Sequence, residues 1–164
     1  MILRNLKETN IKKLKRFARN CKRNKITFFV ANNLKLLFLI KTNNLYISAW
    51  NKQYYKHIQN FNNNIKIIGS AHNANEIREK IRQGCSQIFI SRIFKTNYKF
   101  KKSFLGSIKF NLLTKNFKSR YVALGGINYR NFNQIKNLNI IGCALSLDKK
   151  KAGNYLPAFF KKTY

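Results

Sequence analysis

The chain has 164 residues, 45% of them hydrophobic and 14% aromatic, and its 34 Lys and Arg against four acidic residues give a formal net charge of +30. So much apolar material excludes a disordered chain, the length suits one core but is short for two, and the longest apolar run, LLFLI at residues 36–40, is far below the length that spans a bilayer. The positive field calls for an anionic partner or a neutral explanation: phosphorylated ligands, nucleic acid or an anionic membrane surface on one side, drift towards the A/T-rich codons of Lys, Asn, Ile, Phe and Tyr on the other.

After an apolar stub at residues 2–3, Thr9 or Asn10 can cap a helix whose Ile11, Leu14, Phe17, Ala18 and Cys21 share one face, with Lys and Arg opposite. Residues 26–31, ITFFVA, read as a strand buried on both faces. A short helix at 34–40, a strand at 45–49 and a weak helix at 52–59 follow. Residues 65–69, IKIIG, are a strand running directly into SAHN, and Asn73 or Asn75 then caps a helix that carries Ile77 and Ile81 and ends at Gly84. A strand at 87–91, QIFIS, leads into a basic loop from Arg92 to about Leu105, long enough to be functional or mobile. The remainder repeats the unit: a helix at 108–115, a strand at 121–124, the turn Gly125 and Gly126, a helix at 131–137, a strand at 140–145 and a basic tail.

Short apolar runs alternating with helix-period segments are the pattern of successive β-α units around a parallel sheet. One domain over residues 1–148 and a basic tail at 149–164 are expected, with no Ser/Gly linker to mark a further boundary. Cys21, Cys85 and Cys143 lack the paired spacing of a zinc or redox site, so buried reduced thiols are expected. The start of the chain lacks the apolar core of a signal peptide. A soluble cytoplasmic protein is the expectation, with an organelle reached by an unrecognised import route as the alternative.

Two segments carry chemistry. Glycines directly after a strand let backbone amides approach a phosphate, and the following helix start adds positive potential. Alone, a Gly-Gly is more often a plain turn. In a barrel, phosphate sites use the loops after the seventh and eighth strands, which selects Gly125, Gly126 and, near the end of the last strand, Ala144 and Ser146. His72 sits just past the carboxyl end of a strand, where barrel active sites are built, and its imidazole can move protons near neutral pH. With Ser70 beside it, His72 is the catalytic candidate. His57, on a polar helix, illustrates the commoner surface histidine.

Three segments in order resemble the thiamine-phosphate synthase and thiazole tautomerase (TenI-like) family: IIGSAHNANEI at 67–77, with its Ser-x-His after the strand; IFISRIFKTNYK at 88–99; and ALGGI at 123–127, the phosphate loop. With LGSIKF at 105–110 between the last two, the resemblance covers roughly 65–148 and reaches back more weakly to Ile2. It implies a TIM-type (β/α) barrel and a thiazole phosphate ligand. In the tautomerases the equivalent of His72 shuttles a proton during aromatisation of a thiazole carboxylate phosphate. The synthases join a pyrimidine pyrophosphate to thiazole phosphate. Arg4, Asn32, Thr96 and Lys99 fall on positions that contact substrate or pyrophosphate in the family.

The departures bear on the reaction. The family's Asn-Asp after its third strand is here Asn32 and Asn33, and the acidic residue after the fourth aligns near Lys52, so both carboxylate ligands expected for magnesium are missing. No metal site is therefore assigned, and Mg2+ is implied only for a surviving synthase reaction. Lys95 stands where proline is usual, and Tyr98 at a second hydroxyl position. The chain starts at what resembles the second strand, so the expectation is a barrel without its first β-α unit, its exposed edges covered in a homodimer or left open. The reading from a different class is a catalytically inactive basic barrel binding nucleic acid or another polyanion, which lacks support from any nucleic-acid motif.

Overall fold

The computed structural model describes residues 1–3, 11–96 and 103–144, together with a strand at 159–161. Arg4, Lys99 and Ser146, the caps Thr9 and Asn10, and Tyr98 lie outside the described residues, as does the rest of the 149–164 tail.

Seven parallel strands lie side by side in chain order: β1 (Ile2–Leu3), β2 (Phe29–Ala31), β3 (Asn44–Ile47), β4 (Lys66–Ala71), β5 (Gln87–Ser91), β6 (Tyr121–Leu124) and β7 (Gly142–Ala144). Between them run α1 (Ile11–Arg23), α2 (Leu34–Leu39), α3 (His57–Phe61), α4 (Ala74–Arg82) and α5 (Gly106–Lys115), with a 3-10 turn at Phe132–Ile135 before β7. An eighth strand, β8 (Phe159–Lys161), pairs antiparallel with β7, so part of the expected tail belongs to the sheet.

Side chains alternate across each strand, and both faces are buried. One set, including Val30, Leu45, Ile47, Ile67, Ile88, Ile90 and Ala123, packs against the helices through Leu36, Ile77 and Phe110. The other set, Phe29, Tyr46, Ile68, Phe89 and Val122, forms a separate cluster on the opposite face. One inner layer drawn from five successive strands is the signature of a curled sheet, here a half-barrel of the TIM type. Two buried faces account for the near-continuous apolar runs ITFFVA and QIFIS.

Local differences from the sequence reading have identifiable causes. β4 runs two residues beyond Gly69, because Ser70 and Ala71 still pair with Phe89 and Ile90 of β5. The helix expected at 52–59 forms only from His57, since Asn51, Gln53 and Tyr55 bond to one another and hold 51–55 out of helical geometry. The helix expected at 131–137 is a single 3-10 turn: Asn128 Oδ1 accepts from the amides of Arg130 and Asn131, an alternative to helical bonding that Asn side chains favour. Of the two caps considered for α4, Asn73 holds the position, its Oδ1 accepting from Glu76 N at 2.9 Å.

Candidate functional site

All seven parallel strands end at one rim, so the loops after β2 to β6 face a common mouth. His72 follows the last residue of β4. Ser70 pairs with Phe89 and Ala71 with Ile90, which places His72 opposite Ser91 at the end of β5. The ring accordingly lies with Nδ1 2.6 Å from the Ser91 carbonyl and 3.1 Å from its Oγ. A carbonyl can only accept, so Nδ1 carries the proton and Nε2 is left with a lone pair whenever the ring is neutral. The backbone is fixed as well: His72 N–H donates to Glu76 Oε2 at 2.7 Å, while Glu76 Oε1 accepts from Asn73 Nδ2 at 3.0 Å. The imidazole itself is exposed.

Ser70 does not meet this ring in a hydrogen bond. It is buried on the inner face, where its Oγ accepts from Tyr46 Oη at 2.8 Å. Tyr46 and Ser91 are therefore site neighbours that reading along the chain missed. Register exposes both: residues 46, 68 and 70 point one way, and a strand ending at 91 beside one ending at 71 sets Ser91 against His72.

Gly125 and Gly126 follow β6 with φ of 97° and 72°, values that favour glycine. The base of the 92–105 loop presses on them. A Cβ on Gly126 would stand 2.5 Å from the Lys95 carbonyl and 2.6 Å from that of Phe94, and one on Gly125 would meet Arg92 Cγ at 2.9 Å. Phe94 N–H donates to Gly125 O at 3.1 Å, and Asn131 Nδ2 to Gly126 O at 2.8 Å. Ala144 lies beside this turn, because Leu124 pairs with Ala144 in the β6–β7 register.

Arg92 closes the loop on itself. Its guanidinium donates to Thr96 Oγ1 at 2.7 Å and to the Ser103 carbonyl at 2.8 Å, while Leu105 N and Gly106 N donate back to the carbonyls of Arg92 and Ile93. Thr96 thus stands at the base of the loop, tied to the residue that packs on Gly125. Asn32 is farther round the rim. Its backbone is left-handed, φ 54°, its Nδ2 donates to Ser48 Oγ at 2.7 Å, and its Oδ1 accepts from Ser48 N at 2.9 Å and Asn51 Nδ2 at 3.2 Å.

The magnesium implied by the resemblance does not fit the residues present. Asn33 Oδ1 is spent on the amide of Leu36 at 2.8 Å, Asn32 Oδ1 takes two donors, and Lys52 is an exposed cation. The acidic residues among the described ones are Glu76 and Glu79, both on α4, and no group of three or more His, Cys, Asp or Glu side chains comes together there.

A cleft of about 710 Å³ also opens beside His72, but between α4 and α5, lined by Arg78, Lys109, Leu112 and Phe117 among others. His72, Asn73 and Leu105 line it too, so it meets the rim at that end, but no residue of the Gly125–Gly126 turn does.

A curled sheet of seven parallel strands with intervening helices, carrying a fixed histidine and a glycine turn at its carboxyl rim, defines a (β/α)-barrel-type protein. The family model described as thiamine monophosphate synthase, TMP-TenI, matches residues 3–147, and the chain belongs to that family. It is 31% identical over 126 residues to a thiamine-phosphate synthase of Prochlorococcus marinus subsp. pastoris, covering 76% of this chain and 36% of the relative. A second synthase, from Prochlorococcus marinus strain SARG, is 40% identical over 76 residues, 46% of this chain and 22% of the relative. The chain therefore spans about a third or less of the curated relatives it matches. Among solved structures, a thiamine phosphate pyrophosphorylase from Pyrococcus furiosus superposes with a TM-score of 0.66 at 16% identity, over 88% of this chain and 70% of that one. A structure titled native KDPGal gives 0.58 at 15% identity, over 90% and 69%. At such identities the two superpositions speak to the fold alone.

Proposed function

We propose that the chain binds a thiazole phosphate at the carboxyl rim, its phosphate on the Gly125 and Gly126 turn and its ring beside His72, and that His72 transfers a proton as in the thiazole tautomerases. The observation that carries this reading is the bond from His72 Nδ1 to the Ser91 carbonyl. It leaves Nε2 as a base that can take a proton from one carbon of the substrate and return it at another, with no net change in composition. Ser91 acts here by holding the tautomer and the ring orientation.

The remaining geometry is consistent with a small phosphorylated ring. His72 and Gly125 follow β4 and β6, two strand spacings or about 10 Å apart along the sheet, a span that a ring bearing a phosphate arm bridges. The glycine turn supports the phosphate end through its backbone amides alone, since the helix expected to add positive potential is a four-residue 3-10 turn at Phe132–Ile135. Proton transfer needs no metal, and the residues at Asn32, Asn33 and Lys52 supply no carboxylate for one. The synthase activity in the names of the relatives would need another way to neutralise pyrophosphate, and no step of it is assigned to this chain.

The test is turnover of the thiazole carboxylate phosphate tautomer. His72→Ala should lower the rate at least ~100-fold, the usual scale for loss of a general base, with thiazole phosphate affinity little changed. Turnover in His72→Ala equal to that of the parent chain would overturn the assignment.

A further inference from the structure

Lys80 lies on α4 and Gln83 caps its end, two to three turns from the rim, and both are fully buried. A lysine in that position needs a path and partners. The path runs past Gly69 of β4: a Cβ there would stand 2.8 Å from Lys80 Cδ and 2.8 Å from Cys85 Sγ, so the missing side chain is the space the lysine stem occupies. Helix side chains lean towards the helix start, here towards the rim. Lys80 Nζ accordingly reaches back to the Asn51 carbonyl at 2.7 Å, and donates also to Gln83 Oε1 at 2.7 Å. Gln83 Nε2 completes the arrangement with bonds to the carbonyls of Asn51 at 2.9 Å and Gln53 at 2.8 Å.

Those carbonyls belong to the irregular 48–53 loop at the end of β3. From Asn51 the connection continues outward, because its Nδ2 donates to Asn32 Oδ1, and Asn32 in turn bonds both ends of Ser48. We propose that Lys80 and Gln83 are positioning residues, a buried clamp that holds the 48–53 loop and, through Asn51, sets the side chain of Asn32 for the ligand. The clamp stands on these bonds alone; its consequence for affinity rests on the thiazole phosphate reading.

The test compares the full chain with Lys80→Met, which keeps the stem and removes the donors, and Gln83→Leu, which keeps the lysine. Hydrogen exchange should accelerate at least about tenfold at the amides of Ser48, Asn51 and Gln53, which are bonded in the intact loop, with β4 to β6 unchanged. Thiazole phosphate affinity should fall about tenfold in Lys80→Met but no further when Asn32→Ala is already present, a coupling that a merely structural role would not produce. Unchanged exchange in the 48–53 loop of a folded variant overturns the clamp, and should Lys80→Met not fold, Gln83→Leu decides. Faster exchange with unaltered affinity overturns the link to the ligand. Absence of binding by the parent chain defeats the thiazole phosphate reading, while exchange still decides the clamp.

Discussion

Gly126 and Gly106 share a left-handed backbone, with φ of 72° and 71°, but not a neighbourhood. Nothing lies within 4 Å of a Cβ added to Gly106, whereas at Gly126 the carbonyls of Phe94 and Lys95 block it. Gly106→Ala should cost only the backbone term, about 1 kcal/mol, and Gly126→Ala clearly more; equal losses in chemical denaturation would refute the difference. At Lys80, burial pushes the ammonium below its ordinary 10.5, with weaker opposing effects from Cys85, Glu79 and Glu76. The unfolded chain then binds more protons between that lowered value and 10.5, so stability from this group is full above 10.5 and is lost as pH falls through the folded value. Relative to Lys80→Met, the parent chain should therefore gain stability as pH rises towards 10.5, as denaturation along a pH series would show. The neighbouring Cys85 thiol, pushed up to about 12 by burial against an opposing effect of Lys80, works in the opposite sense above its ordinary 9.0, and more so in Lys80→Met, where that opposing charge is gone.

Helix α5 shows at the element scale what decides stability here. Phe110 is fully buried while Ile108 is 77% and Leu112 63% exposed. Phe110→Ala should lose roughly 3–5 kcal/mol, and Ile108→Lys or Leu112→Lys should stay within about 0.5 kcal/mol, measured by denaturation midpoints. The order of strands and helices was legible because β-branched runs and helix-period segments alternate along the chain; residue type alone gave the Gly84 stop and narrowed the cap to Asn73 or Asn75, between which the bond to Glu76 N decides. The 52–59 segment was misread because its departure from a helix depends on bonds among Asn51, Gln53, Tyr55 and a lysine almost 30 positions away. Likewise the His72 position was legible from its place after a strand, but the Ser91 carbonyl that orients it is set by the β4–β5 register, which periodicity does not reveal. Ser70, two residues before it, faces the inner layer and Tyr46 instead.

Across the whole molecule, 34 cations face four acidic residues, and the two acidic residues among those described are committed to α4: Glu76 bonds His72 N and Asn73, and Glu79 lies 3.8 Å from Arg82. A surface so lacking in counter-charge should hold polyanions weakly and without selectivity, and such binding should collapse as salt rises through counterion release. Binding of a single phosphate at a glycine turn displaces far fewer ions and should depend on salt much less; parallel salt slopes for a nucleic acid duplex and for thiazole phosphate would argue against a defined site. The most direct test of the central claim is calorimetric titration of the folded chain with thiazole phosphate, without magnesium, beside Gly126→Asp. Micromolar binding that disappears in the variant is the predicted result. No heat of binding from the folded parent chain would contradict it and leave polyanion association as the better account of the charge.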